Sequence, residues 1–314
     1  MKKKAIIISI KGPRLSVKEK LLFSKEKPWG LILFKRNIRS FFQINRLIKE
    51  VRRLTKDKNF PVIIDEEGSS VSRLRNILNH NFNANYFGNL YKINPKIGIT
   101  LYKNYLASLC KKLKIIGFNI NTIPVLDILR KNTTKIIGTR SFSKNKEIVK
   151  KLGEITISQC HSKNIITVIK HIPGHGCTST DSHFNMPRVN LSEKKLNKID
   201  FYPFKSSKAK MAMTAHILYS KIDNKNVSTF SKKIIKNIIR KKIGFKGILM
   251  SDDISMKALK YDLISNAKKS LAAGCNLVLY CSGNIRDNFK LIKTVPYIDK
   301  FTSKKTSEIY KILR

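Results

Sequence analysis

Between Lys170 and Pro187 the chain reads KHIPGHGCTSTDSHFNMP, and four of the six histidines, His171, His175, His183 and His216, fall between residues 171 and 216. Within this run Asp181 and His183 stand two apart. That is close enough for the carboxylate to take a proton from one imidazole nitrogen and leave the other for a ligand. A neighbouring carboxylate also stabilises imidazolium, so such a histidine can give and receive protons near neutral pH. An Asp turn beside a surface histidine would produce the same spacing. Other chemistry-bearing side chains close apolar runs: PVIID ends in Asp65, ITVIKH in Lys170 and His171, and GILMSDD in Asp252 and Asp253. Asp252 could be an ionised nucleophile at the head of a helical segment with Asp253 as a first-turn acid or cap, although adjacency leaves open which of the two works. Asp65, backed by Glu66 and Glu67, could accept hydrogen bonds from hydroxyl groups. Arg73 and Arg140 fall in segments that read as loops. A single strand-end Asp is also a common helix cap, but two Asp with Lys, Arg and His suit a sugar. They supply donors and acceptors for hydroxyls, one anionic nucleophile and one proton shuttle.

These residues need a scaffold that brings strand ends together. Eight short β-branched runs recur along the chain: Ala5 to Ser9, Gly30 to Phe34, Pro61 to Asp65, Gly117 to Asn121, Ile166 to Lys170, Lys210 to Thr214, Gly247 to Ser251 and Asn276 to Tyr280. Most gaps between them are helix-like. Phe41 to Leu54 shows the pattern, with Ile44, Leu47, Ile48, Val51 and Leu54 on one stripe. Runs apolar on both faces imply strands covered by helices, and eight of them predict an α/β fold of the parallel (β/α)₈ TIM-barrel type rather than an open sheet. In that architecture chemistry sits at the C-terminal ends of the strands, where Asp65, Lys170, His171 and Asp252 fall. With no repeat of fixed period and no Pro- or Gly-rich linker, residues 1–314 read as one catalytic domain, a barrel over about 5–285 and a helical tail over about 286–314.

Composition narrows the class. The chain has 314 residues, 42% of them hydrophobic, which is long enough to bury a large core without disulfide staples. Cys110, Cys160, Cys177, Cys275 and Cys281 are odd in number and form no C-x-x-C, so neither a disulfide framework nor a thiolate zinc site is expected. Met1-Lys2-Lys3-Lys4 precedes only six apolar or small residues, Ala5 to Ile10, too few for a secretory signal, and no stretch approaches the length of a membrane span. A cytoplasmic protein with no membrane partner is the expectation. The 64 Lys+Arg against 20 Asp+Glu give a formal charge of +44, which raises nucleic acid as a partner. The cations are scattered, however, without an aromatic-interleaved basic stripe, and doublets such as Lys241-Lys242 and Lys268-Lys269 fall where solvated helix faces would be, so no specific nucleic-acid partner is expected.

At this point the sequence resembles glycoside hydrolase family 3, in particular its single-domain bacterial β-N-acetylhexosaminidases of the NagZ type. The resemblance is carried by GLILFKRN, IDEEGSSVSRL, NTIPVLDI, IIGTRSF, KHIPGHG followed by DSH, MTAHILYS, GFKGILMSDDISM and AAGCNLVL, in order along the chain. It implies a (β/α)₈ barrel, no cofactor, no metal, and retaining hydrolysis of terminal β-linked N-acetylglucosamine from muropeptide or anhydro-muropeptide fragments in cell-wall recycling by a monomer. By motif position Asp252 matches the nucleophile, His183 the general acid/base and Asp181 its partner, while Asp65, Arg73, Arg140, Lys170 and His171 match residues that hold the sugar. His175 is given a structural role. A neutral histidine base does not repel an anionic acceptor, so phosphate could compete with water, a reading tested by looking for sugar-1-phosphate. The loop bearing His183 is expected to move as it completes the site. Three places depart from the family pattern: Ser69-Ser70 stand where Gly-Arg is usual, Cys177 where Asp or Arg is, and Asn276 where Asp is.

Two rivals belong to other classes. A metal-dependent barrel hydrolase would use His171, His175, His183 and Asp252 as ligands, but no H-x-H or H-E-x-x-H occurs and Lys170 beside His171 would oppose a divalent cation. A non-catalytic basic protein binding RNA or cell wall would show salt-sensitive binding without turnover.

Overall fold

The structure is a computed structural model, and it describes residues 2–79, 81–131, 133–178 and 186–313. Eight parallel strands close into a barrel in sequence order: β1 Lys4–Ile8, β2 Pro28–Leu33, β3 Val62–Ile64, β4 Ile120–Asn121, β5 Ile166–Ile172, β6 Met211–Thr214, β7 Ile248–Asp253 and β8 Leu277–Tyr280. The last pairs with the first, with Ile6 opposite Val278 and Ile8 opposite Tyr280. All eight expected runs are strands of this barrel, and the (β/α)₈ expectation holds. Each strand is apolar on both faces because each face has a separate partner. Ile7, Trp29, Ile32, Ile63, Ile166, Val168, Met211, Met213 and Met250 fill the lumen, whereas Ile6, Ile8, Leu31, Val62, Ile64, Ile169 and Leu249 pack outward against the helices.

The covering helices are α1 Val17–Leu21, α2 Phe41–Thr55, α3 Ala84–Ile93, α4 Pro95–Ile116, α5 Lys146–Ser162, α6 Glu193–Lys198, a π-helical turn Ile234–Lys242, α7 Leu263–Ala273, α8 Ile285–Thr294 and α9 Lys300–Ile312. The stripe read from the sequence fixes how α2 sits: Ile44, Leu47, Ile48 and Val51 are buried, and the Ser40 hydroxyl caps its start by accepting from the Gln43 N–H. Lys241, Lys242, Lys268 and Lys269 are exposed on their helices, as solvated faces should be.

The C-terminal segment does more than trail behind the barrel. Helix α9 lies across the N-terminal ends of the strands, where Ile309 is buried among the luminal side chains and the Thr306 hydroxyl accepts a 2.9 Å hydrogen bond from the indole of buried Trp29. Beside it the Lys3 ammonium donates to Asp57 and to the Tyr310 hydroxyl at 2.7 Å each, and Tyr310 donates to Asp57 at 2.6 Å. The floor of the barrel is therefore closed, and the opposite end is left for ligands. None of the helices among the described residues is long and apolar enough to cross a membrane.

Candidate active site

The mouth of the barrel is lined by a continuous ionic network. Asp65 follows β3 and receives the Arg73 guanidinium at 3.0 Å, the Thr122 hydroxyl, and the Lys170 ammonium at 3.4 Å. Lys170, nearly the last residue of β5, also reaches the Thr122 hydroxyl at 2.8 Å and Glu67 at 2.6 Å. Glu67 completes the circuit by accepting two hydrogen bonds from Arg140, from Nε at 2.7 Å and Nη2 at 2.9 Å, a bidentate fork that fixes both side chains. Burial works against ionising these carboxyls, but Lys170 and Arg73 outweigh it at Asp65, and Arg140 and Lys170 outweigh it at Glu67. Asp65 is held well below its ordinary value and Glu67 at about 2. Arg73 and Arg140 both come from irregular segments, as expected, with Arg140 ending the 3₁₀ turn Gly138–Arg140.

A second cluster hangs on Asp127, a fully buried carboxylate in the loop after β4. Its Oδ2 takes the His171 Nδ1–H at 2.7 Å, and its two oxygens take the backbone N–H groups of His171 and, at 2.6 Å, of His175. With Nδ1 committed, the Nε2 of His171 is the nitrogen left for a ligand. Burial would raise the Asp127 carboxyl, yet His171 in particular brings it below its ordinary value.

Asp252 lies within β7 rather than opening a helix. The strand runs on to Asp253, and the next helix begins only at Leu263, so the expectation of a helix start at Asp252 is corrected: the Asp253 carbonyl is held by the His216 Nε2–H at 3.0 Å and the turn that follows is non-helical. The geometry separates the two neighbours. Asp253 is occupied, accepting from the Ser255 N–H and hydroxyl and from the Cys281 N–H, and burial pushes its carboxyl up. Among the described residues Asp252 accepts from the Asp253 N–H at 2.8 Å; against burial, His216, His171 and Lys170 hold it below its ordinary value. Burial brings His216 below its ordinary value, and its Nδ1 sits 2.7 Å from the Thr229 hydroxyl, so the imidazole braces the strand end.

Asp65, Arg73, Lys170 and Arg140 are thus joined in one network through Glu67 and Thr122, and His171 and Lys170 act on Asp252. Asp181 and His183 lie outside the described residues. Sequence reading passed over Glu67, Thr122, Asp127 and His216 as site residues. For Asp127 a signal existed, because IPVLD closes an apolar run in an Asp just as PVIID does. Of the three departures, Asn276 sits far from the mouth at the start of β8, accepting from the Leu249 N–H at 2.9 Å and Arg240 at 2.8 Å. Ser70 lies beside the Arg140 turn, 2.6 Å from the Thr139 hydroxyl, and Arg75 folds back onto the Ser69 carbonyl. Cys177 is half-buried, and desolvation pushes its thiol up, which keeps it protonated.

Comparison with known proteins gives a consistent picture. Residues 5–306 match the glycosyl hydrolase family 3 N-terminal domain. A β-hexosaminidase of Actinobacillus succinogenes is 31% identical over 305 residues, covering 94% of this chain and 87% of that protein. Among solved structures, NagZ from Neisseria gonorrhoeae in complex with N-trifluoroacetyl-D-glucosamine superposes with a TM-score of 0.88 at 27% identity, covering 98% of this chain and 90% of that one. A family 3 β-N-acetylglucosaminidase from Paenibacillus shares the fold, with a TM-score of 0.87 at 23% identity, and this chain spans 60% of its length.

Proposed function

The chain belongs to glycosyl hydrolase family 3, and from that premise we propose that it is a retaining β-N-acetylhexosaminidase that removes terminal β-linked N-acetylglucosamine from muropeptide fragments during cell-wall recycling. The observation that carries the reading is the asymmetry between Asp252 and Asp253. One carboxylate is held below its ordinary value by His216, His171 and Lys170 and, among the described residues, accepts a single hydrogen bond, while the other is used up in the local turn. Asp252 then attacks the anomeric carbon and forms a glycosyl ester as the bond to the leaving oxygen breaks, and that oxygen takes its proton from His183. Water attacks the same carbon, returns a proton to His183 and frees Asp252. The role of His183, with Asp181 orienting it, rests on motif position.

The ionic network has the chemistry to hold a sugar through every one of these steps. Asp65 offers carboxylate acceptors to hydroxyl groups, and Arg73, Arg140, Lys170 and His171 offer donors. Because Asp65, Glu67, Thr122 and Asp127 fix those donors before ligand arrives, binding orders little that is not already ordered. A cytoplasmic location is favoured by the five cysteines, all present as free thiols.

The test is release of nitrophenol from a nitrophenyl N-acetyl-β-glucosaminide in the presence of EDTA, with Asp252→Asn alongside. Turnover by the wild type and its loss in the variant are the expected results. A folded wild type that releases nothing would overturn the reading, and activity that EDTA removes would point to the metal-dependent alternative.

A further inference from the structure

His216 is a buried histidine that the catalytic steps above leave unused, and both of its ring nitrogens are engaged. It stands two residues past the end of β6. Its Nε2 lies 3.0 Å from the Asp253 carbonyl oxygen, which can only accept, so that nitrogen carries a proton. Its Nδ1 lies 2.7 Å from the hydroxyl of Thr229, in the 3₁₀ turn Ser228–Phe230, and that hydroxyl is also 2.8 Å from the Thr214 hydroxyl and 3.1 Å from the Ala215 carbonyl. Thr229 can therefore meet Nδ1 in either state. It donates to a bare Nδ1 while accepting from Thr214, or accepts from a protonated Nδ1 while donating to Ala215, and the bond from Nε2 to Asp253 survives both.

That bond lands where the ladder of the barrel is broken. Among the described residues, pairing of β7 with β6 ends at Met213 opposite Met250, short of Asp252. On its other side β7 pairs Met250 with Leu277 but Asp253 with Leu279, so the strand carries one residue more than its neighbour over this stretch and bulges. A bulge re-aims side chains and leaves ladder groups to be satisfied in other ways. Here the Leu279 N–H goes to the Ser251 hydroxyl at 3.0 Å, the Ile254 N–H to the Leu279 carbonyl at 2.9 Å, and the Asp253 carbonyl to His216. The peptide after Asp253 is thus tied on both sides, to β8 by its N–H and to the segment following β6 by its oxygen. With the Asp253 carboxylate also fixed by Ser255 and Cys281, the residue is a rigid mount whose own N–H holds the Asp252 Oδ1 at 2.8 Å.

We propose that His216 is a positioning residue for the nucleophile: its Nε2–H stands in for a ladder bond between β6 and β7, fixes Asp253, and through the Asp253 N–H sets the direction in which the Asp252 carboxylate points. This rests on the reading of Asp252 as the nucleophile of a β-N-acetylhexosaminidase. The imidazole acts through Asp253 and not by touching the sugar. A carboxylate that must reach the anomeric carbon loses rate steeply when displaced, by about 10²-fold for a misplacement of about 1 Å, so the brace acts on the rate of attack rather than on sugar binding.

Three variants test this, read as kcat and KM on the nitrophenyl glycoside with thermal melting alongside. His216→Gln keeps a donor near the Nε2 position, His216→Asn keeps a polar atom near the Nδ1 position only, and His216→Phe keeps neither. For His216→Phe and His216→Asn kcat should fall about 10²-fold with KM within about threefold of wild type, and His216→Gln should recover kcat to within about fivefold. Equal losses in the Gln and Asn variants, losses that follow the melting temperature rather than the donor, or a raised KM at unchanged kcat would overturn the assignment in favour of packing alone. Should none of the three fold, Thr229→Val decides, because it frees the Nδ1 end of the ring: a kcat lowered about fivefold at unchanged KM supports the brace, and an unaltered kcat refutes it. Wild-type protein that turns over no glycoside sinks the activity reading and this inference together, whereas turnover that Asp252→Asn abolishes and no His216 variant lowers sinks only the inference.

Discussion

The two ends of the barrel both bury lysine–carboxylate pairs, and they use them in opposite ways. At the floor Lys3, Asp57 and Tyr310 satisfy one another in a closed triangle around an apolar plug, and Trp29 spends its only donor on Thr306. At the mouth Lys170 is shared among Asp65, Glu67 and Thr122, and the chain of charges runs on through Arg73 and Arg140 to groups that face the opening. A closed triangle can only stabilise. An open network holds several charges in place with hydrogen-bonding capacity to spare, which is what recognition of a polyhydroxylated ligand demands. The expected signature is that floor substitutions move stability and leave turnover alone, while mouth substitutions move turnover.

The sharpest test of that division is Asp252→Asn, for which turnover should fall about 10⁴-fold or more with the folding transition retained, measured by initial rates and thermal melting side by side. Glu67→Gln should break the division, because it leaves the buried Arg140 guanidinium without its carboxylate and takes one of two carboxylates from Lys170. A loss of about 3–5 kcal/mol in urea unfolding is expected together with a fall in kcat/KM. The same carboxyl gives a pH prediction. Its value is about 2 in the folded chain against 4.5 in the unfolded one, so its contribution is complete above pH 4.5 and is lost as pH falls towards 2. Urea midpoints across that window should therefore fall more steeply for wild type than for Glu67→Gln. On the floor, Thr306→Val leaves the Trp29 indole unpaired and should lower stability by about 1–3 kcal/mol, with kcat/KM within about twofold of wild type. The smallest effect belongs to Asn276→Asp, which restores the residue usual in the family at a place remote from the mouth. A change in kcat/KM of less than about twofold is expected there, and a larger one would show that β8 transmits strain to Asp252.

How much of this was legible from residues alone varied with the range of the interactions. The barrel was legible because two-sided burial writes itself locally as apolar runs, and α2 because its stripe recurs every three or four residues. The strand around Ile120 was legible but overlong: Gly117 to Asn121 read as five residues, and only Ile120–Asn121 pair as a strand. Asparagine side chains take over the flanking ladder there, with Asn119 accepting from the Val62 N–H at 2.7 Å and Asn121 exchanging two bonds with Glu66. Strand-end chemistry was visible for Asp65, Lys170 and Asp252 because an apolar run stops at each. Asp127 carries the same mark, but its meaning depends on His171 and His175, 44 and 48 residues further on. Thr122 and Glu67 have no local signature whatever, since their importance comes entirely from Lys170 and Arg140 arriving from later strands and loops.

The plug formed by α9 also sets a schedule. The indole of Trp29 waits for a hydroxyl 277 residues away, and Lys3 for a phenol 307 residues away. A growing chain can pair all eight strands in order, yet its underside stays open to solvent, and to other nascent chains, until α9 follows them. Loss of that helix exposes Ile309's pocket together with an unpaired indole, so shortening within Lys300–Ile312 is expected to weaken the barrel from beneath rather than at its mouth.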